Sequence, residues 1–246
     1  MGDTMKINII GSGSIGAEYM SASYVIDNHI LVDIPNGIIK YLKHLNYDIL
    51  KIDTILITHL HGDHFFDLPF LMLGKYFNKD KTPIKVICPY GTIKKLKLLF
   101  RIGFPYDFRK VMNSINIEFI EHKGRSNIRL GEYLIETRNV KHGKIKPAFG
   151  YIVHKVDKKV GFSGDSMYCP AIDKIVEDSD VSILDMSLKA EGNHSHMGYL
   201  DMKDICYKYK DKTIIATHMH NSARQVALEN PIENLIIPKE NQEIIL

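Results

Sequence analysis

The chain has 246 residues, of which 45% are hydrophobic and 25% charged, and a net charge of +3. That length suits one large α/β unit, and the mild charge excludes nothing but a strongly basic nucleic-acid binder. No apolar run approaches the ~18–20 residues that cross a bilayer. The N-terminus lacks the charged, apolar, small-residue order of a secretory signal. Met1-Gly2 could open an acylation motif, but Lys6 stands where Ser or Thr is required. Cys88, Cys169 and Cys206 are far apart and show no zinc-ribbon or redox spacing. They read as reduced thiols of a cytoplasmic protein.

In chain order, Lys6–Ile10 is a strand followed by Gly11-Ser12-Gly13-Ser14-Ile15-Gly16. This has the form of a dinucleotide fingerprint, with Asp33 at about the right distance. The fingerprint needs a helix directly after its glycines, whereas Tyr19–Ile26 reads as extended. The glycines are therefore expected to form a turn between strands. Asp27-Asn28 is a turn signal and His29–Asp33 a strand. Gly37–Leu50 carries apolar residues at helical spacing. Ile52–Ile57 is a buried strand, Phe65–Phe77 a helix, and Lys85–Cys88 a strand. Thr92–Phe100 is a basic amphipathic helix whose Lys94, Lys95 and Lys97 face solvent. Asn116–Glu121 and Glu132–Val140 alternate as strands. Gly150–Val153 and Lys159–Phe162 form a hairpin around Asp157. Asp173–Asp178 is a helix, Val181–Leu184 a strand, Leu200–Tyr209 a helix and Thr213–Ala216 a strand. With no repeat or linker, residues 1–246 are expected to form one domain of mixed α and β elements.

Thr58-His59-Leu60-His61-Gly62-Asp63-His64 packs three imidazoles and a carboxylate behind a core strand. Such a cluster is costly near an interior unless something neutralises it. Neutral imidazole and carboxylate are common metal ligands. Three further strand ends bear the same side-chain types: His142 after Tyr133–Lys141, Asp165 after Val160–Gly164, and His218 after Ile214–Thr217. His59 and His61 can reach one ion, Asp63 and His64 a second, and Asp165 can bridge. Two ions ~3.5–4 Å apart clamp attacking and leaving oxygens and bring the pKa of bound water toward ~7. The expected nucleophile is then a metal-bound hydroxide, not a side chain.

The HxHxDH motif at 59–64, with His142, Ser163-Gly164-Asp165-Ser166 and Thr217-His218, resembles the metallo-β-lactamase superfamily over nearly the whole chain. The resemblance implies an α+β fold, an αββα sandwich of two mixed β-sheets with helices on the outer faces. It also implies ligand roles: His59, His61 and His142 for one metal, Asp63, His64 and His218 for the other, and Asp165 between them. The Gly-Ser-Gly-Ser turn, Leu31-Val32-Asp33 and Thr58–Pro69 most resemble the ribonuclease Z-like and phosphodiesterase branch. In that branch a histidine before the last helix assists at the scissile phosphate. His196 in His194-Ser195-His196-Met197-Gly198 sits at the matching place, with His194 as the alternative. Met-Gly replaces the Ser-Thr of that motif. Asp185 could orient His196 or His218.

The expected catalytic residues are thus Asp63 and His196. The expected activity is that of a dinuclear metal-dependent hydrolase using two divalent ions, zinc first and manganese or iron next, on a small phosphodiester. Lactone, thioester or sulfate esters are the alternative substrates, and iron-dependent redox chemistry a further one. His142 and Asp165 are only 23 residues apart. The resemblance leads one to expect a long RNA-gripping arm there, so the spacing argues against tRNA. No membrane partner is expected, and the sequence is compatible with a homodimer. Phe65, Phe66, Tyr168 and Met197 are candidates for the cleft wall.

Overall fold

The computed structural model describes residues 4–246; Met1-Gly2, with the acylation signal considered there, lies outside the described residues. The first half of the chain forms β1 (Lys6–Gly11), β2 (Ser23–Ile26), β3 (Ile30–Val32), α1 (Ile38–His44), β4 (Thr54–Leu56), α2 (Gly62–Phe65), α3 (Leu68–Phe77), β5 (Ile84–Pro89), α4 (Thr92–Gly103), α5 (Phe108–Ser114) and β6 (Ile117–His122). The second half forms β7 (Asn127–Leu130), β8 (Tyr133–Asn139), β9 (Phe149–Lys155), β10 (Lys158–Phe162), α6 (Pro170–Asp178), β11 (Val181–Asp185), α7 (Tyr199–Lys208), β12 (Thr213–Thr217), α8 (Asn221–Glu229), β13 (Leu235–Ile236) and β14 (Gln242–Ile245).

Two sheets of seven strands result, ordered β14-β1-β2-β3-β4-β5-β6 and β13-β12-β11-β10-β9-β8-β7. Each is mixed. Strands β3 to β6 run parallel in the first sheet and β10 to β13 in the second, while the remaining neighbours are antiparallel. The central strands are apolar on both faces, as parallel strands covered on both sides must be. Ile7, Ile9, Val32 and Leu56 meet Tyr151, Val153, Phe162 and Ile183 between the sheets. Outside the first sheet, Ile55 and Val86 pack under Leu42, Met72, Leu96 and Phe100 of its helices. Outside the second, Ile152, Leu184 and Ile214 pack under Ile172, Ile175, Met202 and Ile205. This is the four-layer αββα sandwich expected. All three cysteines are buried and free. Among the described residues no helix is long and apolar enough to cross a membrane.

Several elements differ from expectation for local reasons. The glycine-rich stretch leads into no helix. The chain doubles back, and a Cβ on Gly11 would sit 2.3 Å from Ser21 O and one on Gly13 2.5 Å from Tyr19 O. Only Ser23–Ile26 of the expected Tyr19–Ile26 strand forms. The helix expected over Gly37–Leu50 ends at His44, because Asn46 turns left-handed at φ 63°. A single 3₁₀ turn follows at Ile49–Lys51, capped by the Asp48 carboxylate accepting from Leu50 N. The helix expected from Phe65 starts at Leu68, and a separate short helix over Gly62–Phe65 carries Asp63 and His64. Helices α5 and α8 and strands β7, β13 and β14 were not expected. Asp27 and Asn28 take φ 48° and 64°, which closes β2–β3 as a tight hairpin.

At the end where β3 and β4 begin, a cavity of about 370 Å³ opens among His29, Asp53, Lys85 and Tyr133. His29 Nδ1 lies 3.0 Å from Asp53 Oδ1. That hydrogen bond raises the His29 pKa against the opposing effect of burial. Burial pushes Asp53 up, but the His29 bond and a bond from Thr54 bring it below its usual range. A raised histidine adds stability below its unfolded value near ~6.5 and loses it as pH rises through the folded value. The lowered Asp53 adds stability above ~3.9 and loses it in acid. Both groups are partly exposed, so the effect is small. The stability difference between wild type and His29→Gln, from urea unfolding, should be larger at pH ~5.5 than at pH ~8.5. Equal differences would mean the pair carries no charge-dependent stability.

Gly164 has φ +56°, and a Cβ there would stand 2.8 Å from both Phe149 O and Thr58 Cβ. Gly16 has φ +79° with nothing within 4 Å. Gly164→Ala should cost roughly 2–5 kcal/mol, combining left-handed strain with overlap. Gly16→Ala should cost no more than about 1–2 kcal/mol. Denaturant unfolding of both variants measures the difference.

Candidate metal centre

The parallel strands of both sheets end at the same edge of the sandwich. There the backbone is fixed by the ladders while the next residues are free to converge. Beyond β4 come Thr58, His59 and His61; beyond β8, His142; beyond β10, Asp165; beyond β12, His218. His61 takes extended angles ahead of α2, whose first turn carries Asp63 and His64. The sheets are joined beside these ends by a hydrogen bond from Phe149 N to Thr58 O, 3.0 Å. All seven side chains come together, and all except His61 are buried.

They form two sets. His59 Nε2 and His142 Nε2 each lie 3.1 Å from His61 Nδ1, and 3.7 and 3.8 Å from Asp165 Oδ2. His218 Nε2 is 3.4 Å from Asp63 Oδ2 and 3.3 Å from Asp165 Oδ2. His64 Nε2 is 3.3 Å from Asp165 Oδ1 and 3.9 Å from Asp63 Oδ2. The donor atoms of His59, His61, His142 and Asp165 fall within 4.8 Å of one another, as do those of Asp63, His64 and His218. Asp165 faces both sets.

Each of four rings is held by its far nitrogen. His64 Nδ1 donates to Asp33 Oδ2 at 2.8 Å and His142 Nδ1 to Ser195 O at 2.9 Å. His59 Nδ1 lies 3.1 Å from Thr58 Oγ1, which itself donates to Asp33 at 2.8 Å. His218 Nδ1 lies 2.8 Å from Ser187 Oγ. Acceptors behind a ring fix its tautomer and leave the inward nitrogen bare, the form that binds a metal. Asp33 and His218 hold this arrangement with left-handed backbones, φ 57° and 54°. Such strain persists only where the surroundings enforce it.

The electrostatics favour a neutral ring at His59 and His61 and an ionised Asp165, and they hold charge on His64. Burial, and then the His64 charge, holds His59 well below its usual pKa. Burial and His142 lower His61. Burial opposes ionisation of Asp165, yet His218, His64 and His59 drive its carboxyl well below the usual range. Burial also works against the charge of His64, which Asp165 and Asp33 nevertheless push well up. His64 Nε2 is buried without a hydrogen bond, with Asp165 Oδ1 at 3.3 Å. A buried nitrogen without a partner, facing carboxylates and bare imidazoles, fits a divalent cation.

His196 reaches the same edge. Its Nδ1 donates to Asp185 Oδ2 at 2.9 Å, and its ring stacks on that of His218 at 5.3 Å and 7°. Burial lowers its pKa, but the hydrogen bond and charge of Asp185 bring it above the usual histidine value. His194 is exposed and contributes its backbone carbonyl to Gly143 N. Asp185 holds His196 directly and reaches His218 only through Ser187, which donates to it at 2.6 Å. Of the proposed wall residues, Phe65 and Met197 are core side chains, whereas Phe66 and Tyr168 are 44% and 41% exposed. Sequence reasoning missed Ser187 and gave Asp33 no role at the histidine cluster. The only signal was the Asp185-Met186-Ser187 spacing, which puts two polar residues on one side of an extended chain.

Comparison with known proteins agrees with this architecture. Ribonuclease Z of Pyrococcus horikoshii is 31% identical over 134 residues, 54% of this chain and 41% of that protein. The chain thus spans about two fifths of the length of that relative. The solved structure of the metallo-β-lactamase fold protein YhfI from Bacillus subtilis superposes with a TM-score of 0.79 at 18% identity, covering 99% of this chain and 100% of that one. A diphosphatase of the PhnP family superposes with a TM-score of 0.76 at 17% identity, covering 98% and 97%. The fold is therefore that of the metallo-β-lactamases. A family profile described as "Anti-Pycsar protein Apyc1" matches residues 5–239, and the chain belongs to that family.

Proposed function

We propose that this protein is a metal-dependent phosphodiesterase with two divalent ions, zinc by preference, at the open edge of its sandwich. The observation that carries the reading is the pair of donor sets with Asp165 facing both, and the buried His64 nitrogen without a hydrogen bond in the second. His59, His61 and His142 would hold one ion, Asp63, His64 and His218 the other, with Asp165 reaching both. Bound ions would supply positive charge for the ester oxygens and an acidified water at neutral pH. The protein's own part is to keep His59 and His61 neutral, to set the His64 ring between the Asp33 and Asp165 carboxylates, and to keep bulk water off the buried side. His196, tied at Nδ1, keeps Nε2 to hold or give a proton at the leaving oxygen. Because the ligands run from residue 59 to residue 218, we read the chain as a single catalytic domain.

Among the relatives, the ribonuclease Z and the PhnP-family diphosphatase are both named for cleaving phosphorus–oxygen bonds. Between His142 and Asp165 the chain is used up by a short loop and the β9–β10 hairpin. That favours a small ester over a large folded RNA.

Asp63→Ala and Asp165→Ala should each lower kcat/KM for bis(p-nitrophenyl) phosphate by at least about 100-fold, since even an outer-sphere partner is worth ~10–100-fold. Chelation should abolish turnover, and zinc or manganese restore it. Full turnover in either variant, or after chelation, would sink the proposal.

Asp33 accepts from His64 Nδ1, Thr58 N and Thr58 Oγ1. Asp33→Asn should weaken metal binding by ~10–100-fold in a competition titration with a chromophoric chelator. Unchanged affinity would show that Asp33 serves only the backbone turn.

A further inference from the structure

Ser187 is fully buried, two residues after the end of β11. Its Oγ has four partners: Asp185 Oδ1 at 2.6 Å, His218 Nδ1 at 2.8 Å, His218 O at 2.9 Å and His196 Nδ1 at 3.2 Å. A hydroxyl has one proton to give. Two of the four, the Asp185 carboxylate and the His218 carbonyl, can only accept. Were the proton given to His218 Nδ1 instead, the hydroxyl lone pair would face a carboxylate oxygen at 2.6 Å without water between them, an arrangement the buried site could not tolerate. The Ser187 proton therefore goes to Asp185 Oδ1, the nearer and charged acceptor, and His218 Nδ1 must supply its own proton to Ser187.

We propose that Ser187 is a positioning residue that holds His218 in the Nδ1-protonated form, with Nε2 bare toward Asp63 and Asp165. A neutral imidazole has a single N–H, so fixing it at Nδ1 decides the state of Nε2. The partners of Asp185 complete the arrangement. Its Oδ1 accepts from Ser187 N and Ser187 Oγ, at 3.0 and 2.6 Å. Its Oδ2 accepts from Ser166 N and His196 Nδ1, at 3.0 and 2.9 Å. One carboxylate with all its acceptor positions in use thus orders His196 directly and His218 through Ser187. Both rings are tethered at Nδ1 from the same side, which accounts for their near-parallel stacking at 7°. Met186, between the two polar residues, points the other way into the core under α7.

The proposal rests on the reading of His218 as a metal ligand, and the test separates the two. Zinc affinity is measured by chelator competition for wild type, Ser187→Ala, His218→Ala and the double variant. Ser187→Ala should weaken one of two zinc-binding steps by ~10–100-fold and leave the other unchanged. In the His218→Ala background it should add nothing. The same loss in both backgrounds, or no loss in either, overturns the role of Ser187 while leaving the metal reading intact. Failure of wild type to bind zinc, or full zinc binding by His218→Ala, overturns both. A second measurement needs no variant. Long-range ¹H–¹⁵N spectra of the zinc-loaded wild type should show His218 protonated at Nδ1, and a proton on Nε2 overturns the proposal.

Discussion

The open edge of the sandwich depends on one carboxylate. Asp165 is buried with imidazole nitrogens of His59, His64, His142 and His218 at 3.3 to 3.8 Å. A lone buried carboxylate would be strongly disfavoured. The chain answers with its whole architecture. Asp165 follows a left-handed Gly164 wedged against Phe149 and Thr58. Its neighbours Ser163 and Ser166 are tied to Asp185, one hydroxyl accepting from Asp185 N and one amide donating to Asp185 Oδ2. The residue that faces both donor sets is therefore fixed from both sheets at once, which a loop resting on one sheet could not achieve.

The elements legible in the sequence were those whose side chains state their surroundings. β4, β5, β11 and β12 are short apolar runs, and each continues into the edge where the polar residues gather. The amphipathic stripe of α4 and the β9–β10 hairpin were equally plain. What escaped lacks such a signature. Helix α8 buries Ala223, Arg224 and Ala227, so its inner face contains two small residues and a charge rather than an apolar stripe. Arg224 is satisfied by Pro238 O and stacks on Tyr19 at 3.8 Å, contacts more than a dozen residues away in sequence. Strands β13 and β14 are two and four residues long, and neither fills a face. Register with a distant partner creates them.

The same division runs through the site. Ligand-type residues at strand ends could be found because histidine and aspartate after an apolar run are chemically conspicuous. The groups behind them are ordinary: a serine hydroxyl, a backbone carbonyl, a threonine. Ser195 O and Ser187 Oγ act only because the 188–198 loop and the β11 turn place them behind His142 and His218. Asp33 shows how spacing can mislead. It falls where a nucleotide fold would put its ribose carboxylate, yet a left-handed turn aims it at Thr58 and His64 instead.

The loop that delivers His196 carries Met197-Gly198 where the resemblance read from the sequence implies Ser-Thr, and glycine at 198 has a steric reason. A Cβ on Gly198 would lie 2.0 Å from Ala190 O, so no side chain can stand there. Two side chains anchor the loop. Asn193 Oδ1 accepts from Ser195 N and His196 N, at 2.7 and 2.9 Å. Asp201 Oδ2, from the first turn of α7, accepts from Gly192 N and Gly198 N, at 2.7 and 2.9 Å. Met197 is fully buried in the core beneath the second sheet. The loop is thus held by backbone amides pinned to two side chains. Ring placement at His196 follows from that frame and from Asp185, and does not need the residues that the motif lacks.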